Sequence, residues 1–259
     1  MEPIDAGPLL ELQLPLLRAG GRELVRELRL RVDAGQRWAV IGRNGAGKST
    51  LLRLLAGLQL PPGARVQLGG EAMQRMHPAR LARWRAYMPA VPHDRFGLAV
   101  LDAVMLGQLR PDPARALYEL ERVDARGLAP RSLLGLSAGE RQRVALAQVL
   151  AQDTSLLLLD EPVSFQDPRH HAALAGLLRE HVRDGTPRAL VFSAHDLNWV
   201  ASLATHVLAL LPDAAWVGGT ASQVLRADVL QAVYGCPWQR IERAGRADLW
   251  VPADESTMT

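Results

Sequence analysis

The chain is nearly without lysine, because 29 of its 30 basic residues are arginine and the exception is Lys48. It has one cysteine, Cys236, which excludes an internal disulfide. No apolar run approaches the roughly 20 residues that a bilayer-spanning helix needs. The arginines are scattered rather than clustered and the formal net charge is +3, which does not favour nucleic acid as a partner.

The first residues also lack a targeting pattern. Residues 1–5 are acidic and do not show the basic-then-apolar layout of a secretion signal. We therefore expect the chain to stay in the cytoplasm unless a partner holds it at a membrane.

The one lysine stands in a glycine-rich segment. Four residues separate Gly42 from Gly47, and Lys48 and Ser49 follow at once, which is the phosphate-binding P-loop pattern. An apolar strand over 37–41 and an apolar helix over 51–56 flank it, and this context disfavours a chance glycine-rich turn. The predicted nucleotide-binding residues here are Gly42, Arg43, Asn44, Gly45, Ala46, Gly47, Lys48, Ser49 and Thr50. Backbone N–H groups would surround phosphate oxygens, Lys48 would reach the β- and γ-phosphates, and Ser49 would ligate Mg²⁺.

Two carboxylates follow the short apolar run 156–159. In a P-loop protein an acid at the end of an apolar strand is placed for Mg²⁺, so we predict Asp160 as a metal ligand. Glu161 lies next to it and could orient or deprotonate a water that attacks the γ-phosphate. The alternative is an ordinary acidic exit from a strand, and Lys48 upstream favours the catalytic interpretation.

Four more residues complete the predicted site. Ser137 and Gly139 begin an apolar helix and form a second anion-binding helix start, which makes sense if it serves a nucleotide held by another subunit. An ordinary helix N-cap is the alternative. His195 follows the strand 189–193 and could donate a hydrogen bond to the γ-phosphate, although a lone histidine is usually structural. Asp167 comes six residues after Glu161.

The order of elements predicts an α/β fold. Residues 9–17 and 23–32 alternate as two antiparallel strands, and 65–68 is a further short strand. The pattern turns helical from about 78 to 151. Strands over 155–159, 188–193 and 206–211 then alternate with helices over 168–183 and 197–204, which indicates a parallel sheet with a helical insertion.

Together these segments resemble the ATP-binding cassette (ABC) ATPases of ABC transporters. Walker A is 42–50, the signature 136–142, Walker B 156–161, a D-loop ends in Asp167, and His195 is the switch histidine. The resemblance implies a single P-loop ATPase domain over 1–259. Its core, with an N-terminal antiparallel β subdomain, would cover about 1–85 and 152–259, and an inserted helical subdomain about 86–151. It also implies a head-to-tail dimer with two ATP and Mg²⁺, each site combining Lys48 of one chain with Ser137 and Gly139 of the other.

A finer resemblance is to importers of iron-siderophore, haem and cobalamin complexes, and it rests on residues 194–198, 218–225 and 229–235. It implies separate membrane permease subunits, a periplasmic or surface substrate-binding protein, and a peripheral position on the cytoplasmic face of the plasma membrane. An exporter ATPase, a soluble ABC ATPase acting on DNA or the ribosome, and a weakly hydrolysing regulatory module stay as alternatives. A soluble ABC ATPase usually has a long coiled coil or two cassettes, and this sequence shows neither.

The sequence departs from the family pattern at three places. Ala90 stands where the family has a glutamine that contacts Mg²⁺ and the attacking water, so that either coupling is weakened or a neighbour such as His93 substitutes. Residues 16–22 lack the aromatic that stacks on adenine. Arg18 or Arg22 could stack instead, but we favour weaker base selectivity. The signature has Ala138 where glycine is common and Glu140 where glutamine is common.

Overall fold

The computed structural model describes residues 7–92, 96–183, 186–245 and 247–253. Its strands are β1 (Leu10–Ala19), β2 (Arg22–Val32), β3 (Arg37–Ile41), β4 (Arg65–Leu68), β5 (Glu71–Ala72), β6 (Arg85–Met88), β7 (Leu156–Leu159), β8 (Ala189–Ser193), β9 (His206–Leu210), β10 (Trp216–Thr220), β11 (Trp238–Ile241) and β12 (Leu249–Pro252). Its α-helices are α1 (Lys48–Leu55), α2 (Pro78–Trp84), α3 (Val100–Met105), α4 (Pro113–Arg122), α5 (Ala138–Ala151), α6 (Pro168–Arg183), α7 (Leu197–Leu203), α8 (Ala221–Val224) and α9 (Ala227–Tyr234).

The N-terminal strands form an antiparallel sheet in the order β2-β1-β4-β5. Alternate residues of β1, such as Leu10, Leu12 and Leu14, are buried, and they pair with Val32, Leu30 and Leu28 of β2. This period of two places one apolar face against the rest of the domain. The predicted antiparallel pair at the N-terminus is therefore confirmed.

The central sheet has the order β10-β9-β3-β8-β7-β6 and is parallel except for β10, which runs antiparallel to β9. Every residue of β3, β7 and β8 is buried, as expected for strands covered on both faces. Because these strands are parallel, their carboxyl ends meet at one edge of the sheet. The segments after β3, β7 and β8, which carry Lys48, Asp160 and His195, therefore lie together.

A strand interrupts the stretch that the sequence predicts as helical. Strand β6 lies within the predicted helical stretch 78–151, yet it pairs with β7 in the central sheet. Helix α2, which precedes this strand, confirms the predicted start of the helical stretch at Pro78 and ends at Trp84. We therefore propose that the helical subdomain covers about 89–151 rather than 86–151. Arg85, the first residue of β6, is half-buried, and its Nε donates to the carbonyl of Ala56 at 2.7 Å.

Two apolar clusters cover opposite faces of the central sheet. Ala39 and Ile41 of β3 pack with the helical segment, α6 and α7, whereas Trp38 and Val40 pack with α1 and the N-terminal sheet. The alternation along β3 places these pairs on opposite faces. None of the described helices is long and apolar enough to cross a membrane.

A C-terminal hairpin of β11 and β12 follows α9 and has no counterpart in the predicted elements. The side chain of Asn198 attaches it to α7, since its Nδ2 donates to the carbonyl of Trp250 at 3.2 Å and its Oδ1 accepts from the N–H of Trp250 at 2.7 Å. The hairpin thus contacts the helix that follows His195.

Candidate functional site

The loop between β3 and α1 has a backbone conformation that requires glycine. Gly47 caps α1 with φ +103°, a region that side chains disfavour, and a Cβ there would lie 3.0 Å from Leu24 Cδ1. Gly45 also has positive φ, at +77°. Gly45, Gly47 and residues 48–50 line a cavity of about 290 Å³, called here the P-loop cavity, and the backbone N–H groups at such a helix start bind phosphate.

Lys48 is the first residue of α1 and is buried. Its Nζ donates to the carbonyls of Gly42 at 3.0 Å and Arg43 at 3.2 Å. Burial lowers the pKa of Lys48, while the charges of Glu161 and Asp160 act in the opposite direction. The ammonium is thus held at the rim of the P-loop cavity by neutral acceptors, which can be exchanged for phosphate oxygens.

Asp160 follows β7 and is almost wholly buried. Its Oδ1 accepts from Ser49 Oγ at 3.1 Å and from Ser193 Oγ at 2.6 Å. Its Oδ2 is buried and has no hydrogen-bond partner among the described residues. An orphaned carboxylate oxygen beside a serine hydroxyl fits a hard cation such as Mg²⁺, which prefers oxygen ligands. The donor set therefore agrees with the predicted metal ligands Ser49 and Asp160.

Both carboxylate oxygens of Glu161 have partners. Oε1 lies 2.8 Å from His195 Nε2, and Oε2 accepts from Ser164 Oγ at 3.0 Å. The structure therefore brings two of the predicted catalytic residues into direct contact. His195 is held toward the candidate base, at the edge of the P-loop cavity that Glu161 lines.

The backbone of Glu161 is left-handed, with φ +49°. This conformation costs a non-glycine residue about 1–2 kcal/mol, so the surroundings must hold it. The N–H of Glu161 donates to Ser193 Oγ at 2.9 Å, and its carbonyl accepts from Gln142 Nε2 at 2.7 Å. The peptide groups on both sides of Glu161 are thus hydrogen-bonded to buried side chains.

Ser137 is the N-cap of α5, which is the alternative that the sequence left open beside an anion-binding helix start. Its Oγ accepts from the N–H of Glu140 at 3.3 Å, and Glu140 Oε2 accepts from the N–H of Ser137 at 2.8 Å, which is a capping box. Arg131 Nη1 donates to Glu140 Oε1 at 3.0 Å. These donors lower the pKa of Glu140, the backbone N–H of Ser137 contributing most. The acid in place of glutamine is therefore fully paired.

Gly139 packs against the D-loop. A Cβ at Gly139 would lie 2.9 Å from the carbonyl oxygen of Phe165, and Gln166 Nε2 donates to the carbonyl of Gly139 at 2.9 Å. No residue of 136–142 is among the described residues that line the P-loop cavity. Ser137 and Gly139 therefore do not reach the P-loop cavity of their own chain.

Asp167 directly precedes α6, and its Oδ1 accepts from the N–H of His170 at 3.0 Å and lies 3.0 Å from His170 Nδ1. The backbone N–H of His170 is the main reason that the pKa of Asp167 is lowered. His170 also lies 3.4 Å from Asp124 of the helical segment, whereas His171 contacts the carbonyl of Val163. The structure thus places Asp167 as a helix cap at the D-loop.

The places where the sequence departs from the family pattern lie around this site. Ala90 comes two residues after Met88, whose carbonyl accepts from the N–H of Asp160 at 2.9 Å. His93, the suggested substitute for the missing glutamine, is outside the described residues. Arg18 Nη2 lies 2.5 Å from Glu23 Oε1 in an ion pair. Of the two arginines suggested to stack on adenine, Arg22 lines the P-loop cavity.

Sequence reasoning missed Ser193, Gln142, Ser164 and Gln166. Ser193 had a signal, since it is a polar residue ending a strand that is otherwise apolar and that precedes His195. Gln142 is the last residue of the predicted signature, but no local pattern shows that it and Gln166 join the signature to the D-loop across the fold. Gln166 Nε2 lies 3.4 Å from Gln142 Oε1.

Comparison with known proteins agrees with this geometry. The family model described as ABC transporter matches residues 25–164. Hemin import ATP-binding protein HmuV of Chelativorans sp. (strain BNC1) is 36% identical over 229 residues, covering 84% of this chain and 87% of that protein. Iron(3+)-hydroxamate import ATP-binding protein FhuC of Bacillus subtilis (strain 168) is 32% identical over 225 residues, covering 83% of each.

Solved structures share the fold. A chain described as belonging to a metal-chelate type ABC transporter in an inward-facing conformation superposes with a TM-score of 0.80 at 24% identity, covering 97% of this chain and 100% of that one. CbiO1 from Clostridium perfringens, part of the ABC transporter complex cbiONQ, gives a TM-score of 0.72 at 21% identity, covering 86% and 93%. At these identities the likeness concerns the fold.

Proposed function

The chain belongs to the ABC transporter family as an ATP-binding protein of the kind that hydrolyses ATP, and on that premise we propose that it energises uptake of an iron complex. The cargo would be a siderophore or haem complex, or cobalamin, and it would cross the membrane through separate permease subunits.

One observation carries the catalytic part of the proposal: Lys48, Ser49, Asp160, Glu161 and His195 meet at the carboxyl edge of the central sheet. Lys48 and the loop N–H groups would bind the terminal phosphates of ATP. Glu161 would accept a proton from the attacking water. His195 would leave Glu161 and donate a hydrogen bond to the γ-phosphate.

Magnesium would be held by Ser49 and Asp160. The ion supplies charge neutralisation for the phosphate oxygens when it is bound. The chain's own task is to keep the two oxygen ligands in place, and the hydrogen bond between them already does so at 3.1 Å.

A second copy of the chain would complete the site. Ser137 and Gly139 are at a helix start that is suited to an anion, yet they do not line the P-loop cavity of their own chain. A head-to-tail pair would place them over the ATP of the partner, with Asp167 and the D-loop beside them. This arrangement explains why a phosphate-binding helix start occurs twice in one chain.

The substrate class rests on the relatives. Hemin and iron(3+)-hydroxamate are the cargoes that the names of the curated relatives give, and both are iron chelates. We propose accordingly that the chain works with integral membrane permease subunits and a periplasmic or surface substrate-binding protein. Its position would be peripheral, on the cytoplasmic face of the plasma membrane.

Reconstituted transport tests the proposal. The chain is assembled with a candidate permease and placed in liposomes with ATP and Mg²⁺ inside and hemin, with a hemin-binding protein, outside. We expect hemin to accumulate inside, and liposomes that carry Lys48→Ala to accumulate none. Hydrolysis without hemin entry would contradict the haem assignment, and ATP-dependent loss of hemin from liposomes loaded with it beforehand would identify an exporter.

A further inference from the structure

Ser193 is the last residue of β8 and is fully buried. The other residues of this strand, at 189–192, are apolar and pack into the core on the two faces of the sheet. Strand β8 lies between β3, which leads into the P-loop, and β7, which leads into Asp160. A hydroxyl at the end of β8 is therefore placed between the two segments that bind phosphate and metal.

The hydroxyl of Ser193 serves two neighbouring residues at once. It donates to Asp160 Oδ1 at 2.6 Å and accepts from the N–H of Glu161 at 2.9 Å. A serine hydroxyl has one donor and acceptor capacity, so both bonds can exist together. Ser193 thus links the candidate metal ligand to the backbone of the candidate base.

Asp160 needs this donor for its orientation. Two hydroxyls donate to Oδ1, and Oδ2 is left without a partner among the described residues. Ser49, the other donor, is itself an expected metal ligand. Unlike Ser49, Ser193 donates to Asp160 without being an expected ligand of the metal.

Glu161 depends on the hydroxyl of Ser193 for the conformation of its backbone. Its left-handed backbone, with φ +49°, persists when the surrounding structure over-determines it. Ser193 fixes the N–H of Glu161, and Gln142 fixes its carbonyl. Without Ser193 the N–H of Glu161 would lose its acceptor within the protein, which weakens the restraint on this peptide group.

We propose that Ser193 is a positioning residue for ATP hydrolysis: through one hydroxyl it orients Asp160 and holds the backbone of Glu161 in the conformation that directs its carboxylate to the nucleotide. The effect on turnover rests on the proposed function, whereas the effect on the Glu161 backbone does not.

Three substitutions test the assignment. Ser193→Ala removes the hydroxyl, Ser193→Cys keeps the shape with a weak hydrogen-bonding group, and Ser193→Thr keeps the hydroxyl. Thr154→Ala is the matched control, since it removes a hydroxyl that is equally buried and donates to the carbonyl of Leu156 at 3.1 Å, at the start of the neighbouring strand.

For turnover we expect Ser193→Ala and Ser193→Cys to lower kcat about 10- to 100-fold, because a misplaced reacting group costs about that much. KM for ATP should stay within about threefold, because Lys48 and the loop bind the phosphates without Ser193. Ser193→Thr and Thr154→Ala should keep kcat within about threefold. Equal losses of kcat in Thr154→Ala and Ser193→Ala would overturn the proposal.

The readout that does not depend on turnover is amide hydrogen exchange in a peptide spanning 159–163, measured without nucleotide. Exchange at Glu161 should be at least about tenfold faster in Ser193→Ala and Ser193→Cys than in the wild type or Thr154→Ala. Unchanged exchange would overturn the proposal even if kcat falls. Should Ser193→Ala fail to fold by circular dichroism, the comparison of the Cys and Thr variants decides. A wild type that does not hydrolyse ATP contradicts the proposed function, and the exchange result still decides the role of Ser193.

Discussion

Replacing Glu161 by glutamine removes a proton acceptor and leaves the surroundings intact. In the wild type, Ser164 Oγ lies 3.0 Å from Glu161 Oε2 and His195 Nε2 lies 2.8 Å from Glu161 Oε1. The amide oxygen of the glutamine can still accept from Ser164 Oγ, and its NH₂ group can face His195 Nε2. The backbone bonds to Ser193 and Gln142 do not involve the side chain of residue 161. Glu161→Gln should therefore fold as the wild type does.

The expected loss is that of a general base. Such a group contributes about 10²- to 10⁴-fold to a rate, which is about 3–5 kcal/mol of the activation barrier. We expect kcat for ATP to fall by this factor. The affinity for ATP should stay within about threefold, because Lys48 and the loop N–H groups make the phosphate contacts, and ATP-bound pairs of chains should accumulate.

The assay measures phosphate release by the chain assembled with its permease, together with ATP binding and the fraction of dimer. Glu121→Gln is the control, because it makes the same chemical change at an exposed residue of α4 that pairs with Arg126. Turnover of Glu161→Gln within about tenfold of the wild type would refute the assignment of Glu161. So would an equal loss in the control.

Three further predictions follow from single residues. Ala90→Gln should raise the ATPase rate of the assembled transporter, because it restores an oxygen ligand beside Asp160; an unchanged or lower rate counts against a limiting role of this loss. ATP and GTP should bind with affinities within about tenfold of each other, because residues 16–22 contain no aromatic side chain to stack on the base; strong adenine preference in a binding titration would contradict this. Burial, reinforced by Arg188, lowers the pKa of His181 to about 4, against about 6.5 in the unfolded chain. Between pH 6.5 and pH 4 the unfolded state therefore binds more protons than the folded state. The free energy of unfolding should consequently drop by about 2 kcal/mol from pH 7 to pH 5. Denaturant titrations at the two pH values should show a smaller drop for His181→Gln than for the wild type, and an equal drop would contradict the role of His181.

The sequence predicted the elements whose signals are local. The spacing from Gly42 to Ser49 requires a specific turn between a strand and a helix, and α1 begins at Lys48 as that pattern indicates. Helix α6 has the predicted bounds, because Pro168 opens it and its apolar residues recur with helical spacing. Such features depend on residues close in the chain.

The errors concern contacts between distant segments. Strand β6 is short, and it is a strand because β7, some 70 residues later, offers it a partner. Ser193 lies 33 residues from Asp160 in the sequence, and Gln142 lies 19 from Glu161. No local pattern shows which buried polar side chain will face which backbone group. The hydrogen-bonded surroundings of the base therefore became visible only in the fold.

The central claim is that the one lysine of this chain binds the terminal phosphates of ATP. Calorimetric titration of the purified protein with ATP, with and without Mg²⁺, tests it on the wild type, Lys48→Ala and Lys48→Arg. We expect magnesium-dependent binding by the wild type and at least about tenfold weaker binding, about 1.4 kcal/mol, by both variants, because a guanidinium does not replace a compact ammonium between two loop carbonyls. Wild-type protein without magnesium-dependent affinity for ATP, or folded variants that bind it equally well, would contradict the account.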